Sequence, residues 1–263
     1  MLFSRSAAAG VQKYSCQFGG DQLSSFRGLT YAMNGGLTLA ASGFPFWGVD
    51  AGGYSGFADE ETYLRWTEFA TFSPIMRFHG VTPREPWAYS RYAVSVYKFY
   101  AWLRENLLKY SVHTAEEAHK TGIPMMRPLP MVFPEDKEAV YWEDEYFYGS
   151  DLLVAPVHQE GEKRRIYFPS GSWINLLDFR KMVGGNRIFQ VDVPIDKIPV
   201  YIREGACILS VMNGELQLGQ SMTYEKKNTV LMSRALNETS GKRYADGKEI
   251  EYNILGKTGE DFF

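Results

Sequence analysis

Asp21 closes the run Gln17-Phe18-Gly19-Gly20, so a carboxylate stands on a glycine turn directly after an apolar, strand-like stretch. The glycines let the backbone turn tightly and leave the carboxylate bare. In apolar surroundings desolvation raises the pKa of such a group and equips it as a general acid, the chemistry that cleavage of a glycosidic bond needs. The same Asp could instead cap the next helix. A second strand end carries Trp47-Gly48-Val49-Asp50-Ala51-Gly52-Gly53-Tyr54, with a carboxylate and an aromatic ring side by side. That pair suits a sugar, the carboxylate accepting from hydroxyls while the ring covers an apolar face. It is no phosphate loop, because neither a Lys-Ser/Thr ending nor GxGxxG spacing is present. The third cluster is Arg77-Phe78-His79-Gly80 followed by Pro83-Arg84-Glu85-Pro86-Trp87. His79 reads either as a site residue or as a satisfied core histidine, and Arg84-Glu85 as a surface ion pair. The four histidines, at 79, 113, 119 and 158, have no HExxH or paired spacing, which argues against a metal site. Ser4 and Ser6 lack the GxSxG elbow.

Elements that place these residues alike are legible in the pattern. Candidate strands at 1–4, 13–18, 45–49 and 74–78 alternate with helical stretches at 24–41, 60–71 and 91–109. Such an α/β rhythm, with Arg5, Asp21, Asp50 and His79 each at the C-terminal end of a strand, is where parallel α/β folds assemble active sites. A helical stretch at 114–120 followed by Thr121-Gly122-Ile123-Pro124 marks a boundary. Beyond it the texture changes to short strands at 139–141, 152–157, 165–168, 188–193 and 200–202, which predict an antiparallel β-sandwich. Residues 217–237 alternate again like strands.

Composition narrows the function classes. The 263 residues are 45% hydrophobic and 22% charged, enough to bury a large core without disulfide or metal staples. Cys16 and Cys207 match no zinc or redox spacing and read as ordinary thiols. A net charge of −3 leaves no footprint for a polyanion, which argues against nucleic acid as a partner. No apolar run approaches the ~18 residues of a membrane span. Free thiols and the lack of a visible leader predict a cytoplasmic location. The 15% aromatic content suits sugar rings, and equally an aromatic-rich core.

Taken together, these motifs resemble glycoside hydrolase family 31, the retaining α-glucosidases and α-xylosidases. The likeness runs through Phe3-Ser4-Arg5-Ser6, Gly19-Gly20-Asp21, Gly48-Val49-Asp50-Ala51, Arg65-Trp66, Arg77-Phe78-His79 and Pro83-Arg84. It continues through Met126-Arg127-Pro128-Leu129, Tyr148-Gly149-Ser150-Asp151-Leu152-Leu153-Val154-Ala155-Pro156-Val157 and Ile198-Pro199-Val200-Tyr201-Ile202-Arg203-Glu204-Gly205-Ala206. Order and spacing hold over roughly residues 2–210.

The resemblance implies an α/β plus all-β architecture. Residues 1–121 would form the C-terminal half of a (β/α)8 TIM barrel, strands five to eight. Residues 122–212 would form a proximal antiparallel β-sandwich, and 213–263, around Tyr244-Ala245-Asp246-Gly247, the start of a distal β-domain. By motif Asp21 takes the acid/base position, Arg5, Asp50 and His79 bind sugar in the −1 subsite, and Trp47, Tyr54 and Arg77 line or brace it. Phe18, Phe78 and Trp87 surround the same subsite. The implied substrate is an α-linked glucoside or xyloside, with no cofactor. A retaining mechanism needs a second carboxylate about 5 to 5.5 Å from the acid. In the family that nucleophilic Asp lies after barrel strand four, upstream of Arg5, so the missing N-terminal half of the barrel is the expected partner. The chain alone is then expected to be inactive. An inert carbohydrate-binding remnant of such an enzyme is the competing expectation.

Overall fold

The computed structural model describes residues 3–5, 8–14, 16–179, 182–213, 215, 217–222, 227–232, 239–245 and 248–254. Ser6, Asp246 and Gly247, which belong to motifs named above, lie outside them.

Four short strands, β1 (Phe3–Ser4), β2 (Cys16–Phe18), β3 (Trp47–Ala51) and β4 (Ile75–Phe78), form one parallel sheet in chain order. Its register pairs Phe3 with Cys16, Phe18 with Gly48, Gly48 with Ile75 and Asp50 with Arg77. Because side chains alternate along a strand, this register puts Phe3, Cys16, Phe18, Asp50, Ile75 and Arg77 on one face. Trp47, Val49 and Ala51 take the other. Crossover helices α1 (Phe26–Ala41), α2 (Glu60–Thr71) and α3 (Arg91–Asn106) connect and follow these strands. Each begins where its sequence supplies a cap: Ser25 accepts from Gly28 N, Asp59 from Thr62 N and Ser90 from Ala93 N. Ser25 therefore does the capping that Asp21 could have done.

Trp47 and Val49 pack with Leu29, Met33 and Leu37 of α1 and Tyr63, Trp66 and Phe69 of α2. The Trp47 ring lies so close to Gly36 that a Cβ there would sit 1.9 Å from Cζ2. Gly36→Ala is therefore expected to destabilise the chain by about 1–2 kcal/mol, the overpacking outweighing the gain in helix propensity. Urea denaturation would read the difference, while the same substitution at the open Gly35 should not destabilise.

The helix expected over 91–109 ends at Asn106, and α4 (Leu108–Thr121) follows at once, far earlier than the stretch at 114–120 suggested. Asn106 holds the break from a distance. Its amide donates to Val211 O at 2.8 Å and to Met222 Sδ, and its carbonyl accepts from Gly219 N. Gly122, in the left-handed region at φ 79°, ends α4.

From residue 126 the chain forms antiparallel sheets. Strands β5 (Met126–Pro128), β6 (Tyr146–Tyr148) and β7 (Leu152–Val154) lead to the pair β8 (Lys163–Phe168) and β11 (Arg187–Asp192). With β9 (Ser172–Asn175), β10 (Met182–Gly184) and β12 (Val200–Arg203), the first three make a six-stranded sheet ordered β10-β9-β12-β7-β6-β5. Two further pairs, β13 (Cys207–Met212) with β14 (Lys227–Met232) and β15 (Thr239–Ala245) with β16 (Lys248–Ile254), close the described chain. The expected strand at 139–141 is instead a 3-10 turn. Alternation decides which side chains go where. Tyr146, Tyr148, Leu152, Val154, Val200 and Ile202 join the core of the helices, while Phe147, Leu153, Trp173 and Tyr201 pack with Ile166 and Phe168 of β8. The sheet is thus buried on both faces.

His113 of α4 is buried, and that burial, with Arg243 and Arg127 also opposing protonation, lowers its pKa to about 4. An unfolded chain protonates this histidine near 6.5, so the unfolded state takes up the proton first as pH falls. Stability is expected to drop by up to about 3 kcal/mol between pH 6.5 and 4, and His113→Gln to flatten that part of the profile in denaturant titrations. Among the described residues no helix is long and apolar enough to cross a membrane. None of their His, Cys, Asp and Glu side chains form a group of three suited to a metal ion.

Candidate active site

The carboxylates gather on the face of the parallel sheet that the helices leave uncovered. Asp50 points from β3 with its side chain only 1% exposed, and its Oδ1 accepts from Arg77 Nε at 2.8 Å and from the terminal nitrogen of the same guanidinium. Both come from the paired positions of neighbouring strands, so the register itself creates the contact. Oδ2 of Asp50 meets no donor among the described residues, although it is buried. Burial pushes the Asp50 pKa up, against the pull of Arg77 and His79, and the nearby Asp21 charge adds to the rise. An acceptor held dry and half-satisfied carries an unmet hydrogen-bonding cost.

Asp21 sits higher, about a third exposed, with Oδ2 3.0 Å from a terminal nitrogen of Arg5, itself largely exposed. Its neighbours among the described residues include a guanidinium, and solvent reaches it. Two rings organise the cations. The Arg77 guanidinium lies 4.9 Å from the Phe18 centroid and 5.4 Å from that of Phe3, and Arg5 lies 5.4 Å from Phe18. Phe18 is therefore the plate on which both arginines rest. His79 follows β4 and faces Tyr54, ring centroids 5.7 Å apart. Cys16 shares this face, but burial pushes its thiol up to about 11, against Arg77, so it stays protonated at neutral pH.

Three rings named from the sequence take different places. Trp47 is fully buried beneath α1 and α2, so it supports β3 from behind and does not line the open face. Phe78 turns to the helices, where its ring meets Tyr63 and Tyr97. Trp87, in the 3-10 turn Pro86–Ala88 that follows β4, is 74% exposed.

Arg84 is no surface residue. Only 4% exposed, it donates from Nε to Gly53 O at 2.7 Å, and from its terminal nitrogens to Ser24 Oγ at 2.6 Å, Gly56 O at 3.0 Å and Pro83 O at 3.0 Å. One guanidinium thus ties together the loops after β2, β3 and β4, which carry Asp21, Tyr54 and His79. Gly53 permits the approach: at φ 78° it lies so near Ser24 that a Cβ would stand 2.6 Å from the backbone. Arg84→Lys removes the fork that reaches all three loops, and an ammonium cannot replace it. A loss of about 2–3 kcal/mol is expected, with faster amide exchange concentrated in 52–56 and 80–83 on hydrogen-exchange mass spectrometry. Uniform acceleration across α1 and α2 would contradict the latch.

Comparisons with known proteins agree along most of the chain. The family model described as "Glycosyl hydrolases family 31 TIM-barrel domain" matches residues 1–114, and "Glycosyl hydrolase family 31 C-terminal domain" matches 122–208. An isomaltosyltransferase from Sporosarcina globispora is 35% identical over 232 residues, covering 82% of this chain and 21% of that protein. An alpha-xylosidase from Emericella nidulans is 34% identical over 214 residues, covering 78% of this chain and 27% of that protein. Among solved structures, a cycloalternan-forming enzyme from Listeria monocytogenes in complex with a pentasaccharide substrate superposes with a TM-score of 0.92 at 30% identity. It is matched over 97% of this chain and 26% of that one. The chain spans about a quarter of the length of these relatives.

Proposed function

The chain belongs to glycoside hydrolase family 31, and on that premise we propose that it supplies the acid/base and most of the −1 subsite of a retaining α-glycosidase acting on terminal α-linked glucosides or xylosides. The observation that supports the reading is the convergence of Arg5, Asp21, Asp50, Arg77 and His79 on one uncovered face of four parallel strands. In this reading 1–121 is the C-terminal half of a (β/α)8 barrel, 122–212 a β-sandwich and 213–263 the start of a further β-domain. In this reading the nucleophilic carboxylate comes from the other half of the barrel, where the resemblance to the family places it.

Asp21 gives its proton to the glycosidic oxygen as the bond to the anomeric carbon breaks and the nucleophile closes on that carbon from the opposite face. In the second step Asp21 takes a proton from water, whose oxygen displaces the nucleophile and restores the starting configuration. Asp50 is the hydroxyl acceptor of the subsite, Arg77 holds that carboxylate in place, and His79 and Arg5 contact the same ring. Trp47 braces β3 from the core, and Tyr54 borders the subsite beside His79.

A second reading changes only the acceptor. The relatives named as an isomaltosyltransferase and a cycloalternan-forming enzyme favour transfer to a sugar hydroxyl in place of water. The deciding experiment supplies p-nitrophenyl α-glucoside or α-xyloside to the chain alone and to the chain co-expressed with the polypeptide encoded immediately upstream, with products resolved by chromatography. Activity in the pair that in Asp21→Asn stalls after the first release of p-nitrophenol, for want of a base in the second step, supports the proposal. Longer oligosaccharides among the products select transfer, and activity of the chain alone overturns the external nucleophile.

A further inference from the structure

A groove runs where α1 meets the antiparallel sheets, and none of its walls belongs to the carboxylate cluster. Three cavities of about 370, 460 and 350 Å3 make it up, and all three share Trp142. The first two also share Asn34 and Glu143, and the last two share Asp144, His158 and Arg165, so the space is continuous. Each part lies within the range of small-ligand clefts.

Its walls are fixed before any ligand arrives. The Trp142 ring stacks on Tyr167 with centroids 5.7 Å apart and planes 16° apart, its Nε1 donates to Glu138 Oε1, and the Arg165 guanidinium lies 5.8 Å from the ring. His158 is held between Asp144 Oδ2 at 2.9 Å and Thr30 Oγ1 at 3.1 Å. Burial opposes the Asp144 charge, but hydrogen bonds from His158 and Arg164 outweigh it and hold the carboxyl well below the usual carboxylate range. Two side chains mark the groove. Oδ1 of Asn34 is buried and meets no donor among the described residues, and Tyr141 stands 78% exposed at the rim. On the floor Glu145 is fully buried, with Oε1 accepting from Tyr167 N and Oε2 unpartnered.

Carboxylates at 138, 143 and 144 are balanced by Lys163, Arg164 and Arg165, so the groove offers no net field to a polyanion or a polycation. What it does offer is aromatic surface beside a close array of amide, carboxylate and hydroxyl groups. That combination fits a ring with apolar faces and an equatorial belt of hydroxyls. We propose that this groove is a second, non-catalytic glycan site that holds a neutral gluco-oligosaccharide on Tyr141, Trp142 and Asn34. The choice of glucose units rests on the glycosidase reading above, whereas the groove's preference for a neutral polyhydroxylated ligand does not.

The test titrates maltotriose and isomaltotriose into the full chain and follows assigned backbone amide resonances. Saturable shifts at 30–34, 138–144 and 158 are expected, with Tyr141→Ala and Asn34→Leu each weakening binding by about tenfold or more. Both positions are off the core, and retained spectral dispersion shows that the variants fold. Shifts confined to the neighbourhood of Asp21 and Asp50, or an affinity that neither substitution changes, overturn the groove site. Shifts in the groove without any at Asp21, Asp50 or His79 leave the groove standing while counting against the −1 subsite. Saturable binding of an unrelated peptide or of polygalacturonate, with neither trisaccharide bound, also overturns it.

Discussion

Asp21→Asn is expected to lower hydrolysis of an unactivated α-linked disaccharide by about 10^2- to 10^4-fold in the assembled enzyme, with a much smaller first-step effect on p-nitrophenyl α-glucoside. The difference follows from the leaving group. An alkoxide departs only as it is protonated, whereas p-nitrophenolate leaves unaided, so the acid matters most where the oxygen is most basic. Stability should be little changed, because Asp21 is about a third exposed and its ion pair to a largely exposed Arg5 is of the kind that contributes little. The measurement is kcat/KM for both substrates, read beside a urea melt. Equal losses on both substrates would move Asp21 from proton donor to binding residue. An Asp50→Asn variant gives the contrast, since it keeps the proton donor and loses a hydroxyl acceptor, and so should affect both substrates alike.

Much of this site was legible because strand ends and glycine turns announce themselves locally. Asp21, Asp50 and His79 each follow a short apolar run, and the parallel register then brings them to one face without further information. Which face a residue takes was less legible, since a five-residue strand buried throughout hides its alternation. Trp47 of that strand could line the subsite or brace it, and only its place beneath the helices shows the bracing role; Phe78, at the end of β4, also turns its ring to the helices. Phe3 and Phe18 carry the arginines instead, and nothing in their own motifs distinguishes that role from core packing. The break between α3 and α4 was hidden for another reason. No glycine or proline marks it, and Asn106 is fixed by Val211 and Gly219, more than a hundred positions later. Arg84 reads as one half of a surface pair because its partners are mostly main-chain carbonyls, which no sequence pattern reports.

Arg65 belongs to the same class, and the largest stability effect is expected there. On α2, with its side chain wholly buried, it pairs with Glu68 at 3.1 Å and donates to Gly161 O, Val193 O, Pro194 O and Lys197 O at 2.9 to 3.3 Å. Those carbonyls lie in the loops beside β8, β11 and β12, so a single side chain fastens the parallel-sheet region to the antiparallel one. Burial pushes the Glu68 pKa well up while Arg65 pulls it down. Arg65→Met strands the carboxyl and four carbonyls together, and a loss of about 3–5 kcal/mol is expected. Arg65→Lys should recover little, because one ammonium cannot span carbonyls that a planar fork reaches. In the Met variant Glu68 loses its counter-charge and its folded pKa rises further above the unfolded value near 4.5. A raised folded pKa means stability is fullest below 4.5 and is lost as pH climbs through the folded value, so the deficit should be larger at pH 7 than at pH 4.5. Arg65→Met with Glu68→Met removes the stranded charge and should recover part of the loss and all of that added pH dependence. If the double variant is as unstable as the single one at both pH values, the carbonyls and not the carboxyl carry the effect, and the fastening is a matter of hydrogen bonds alone.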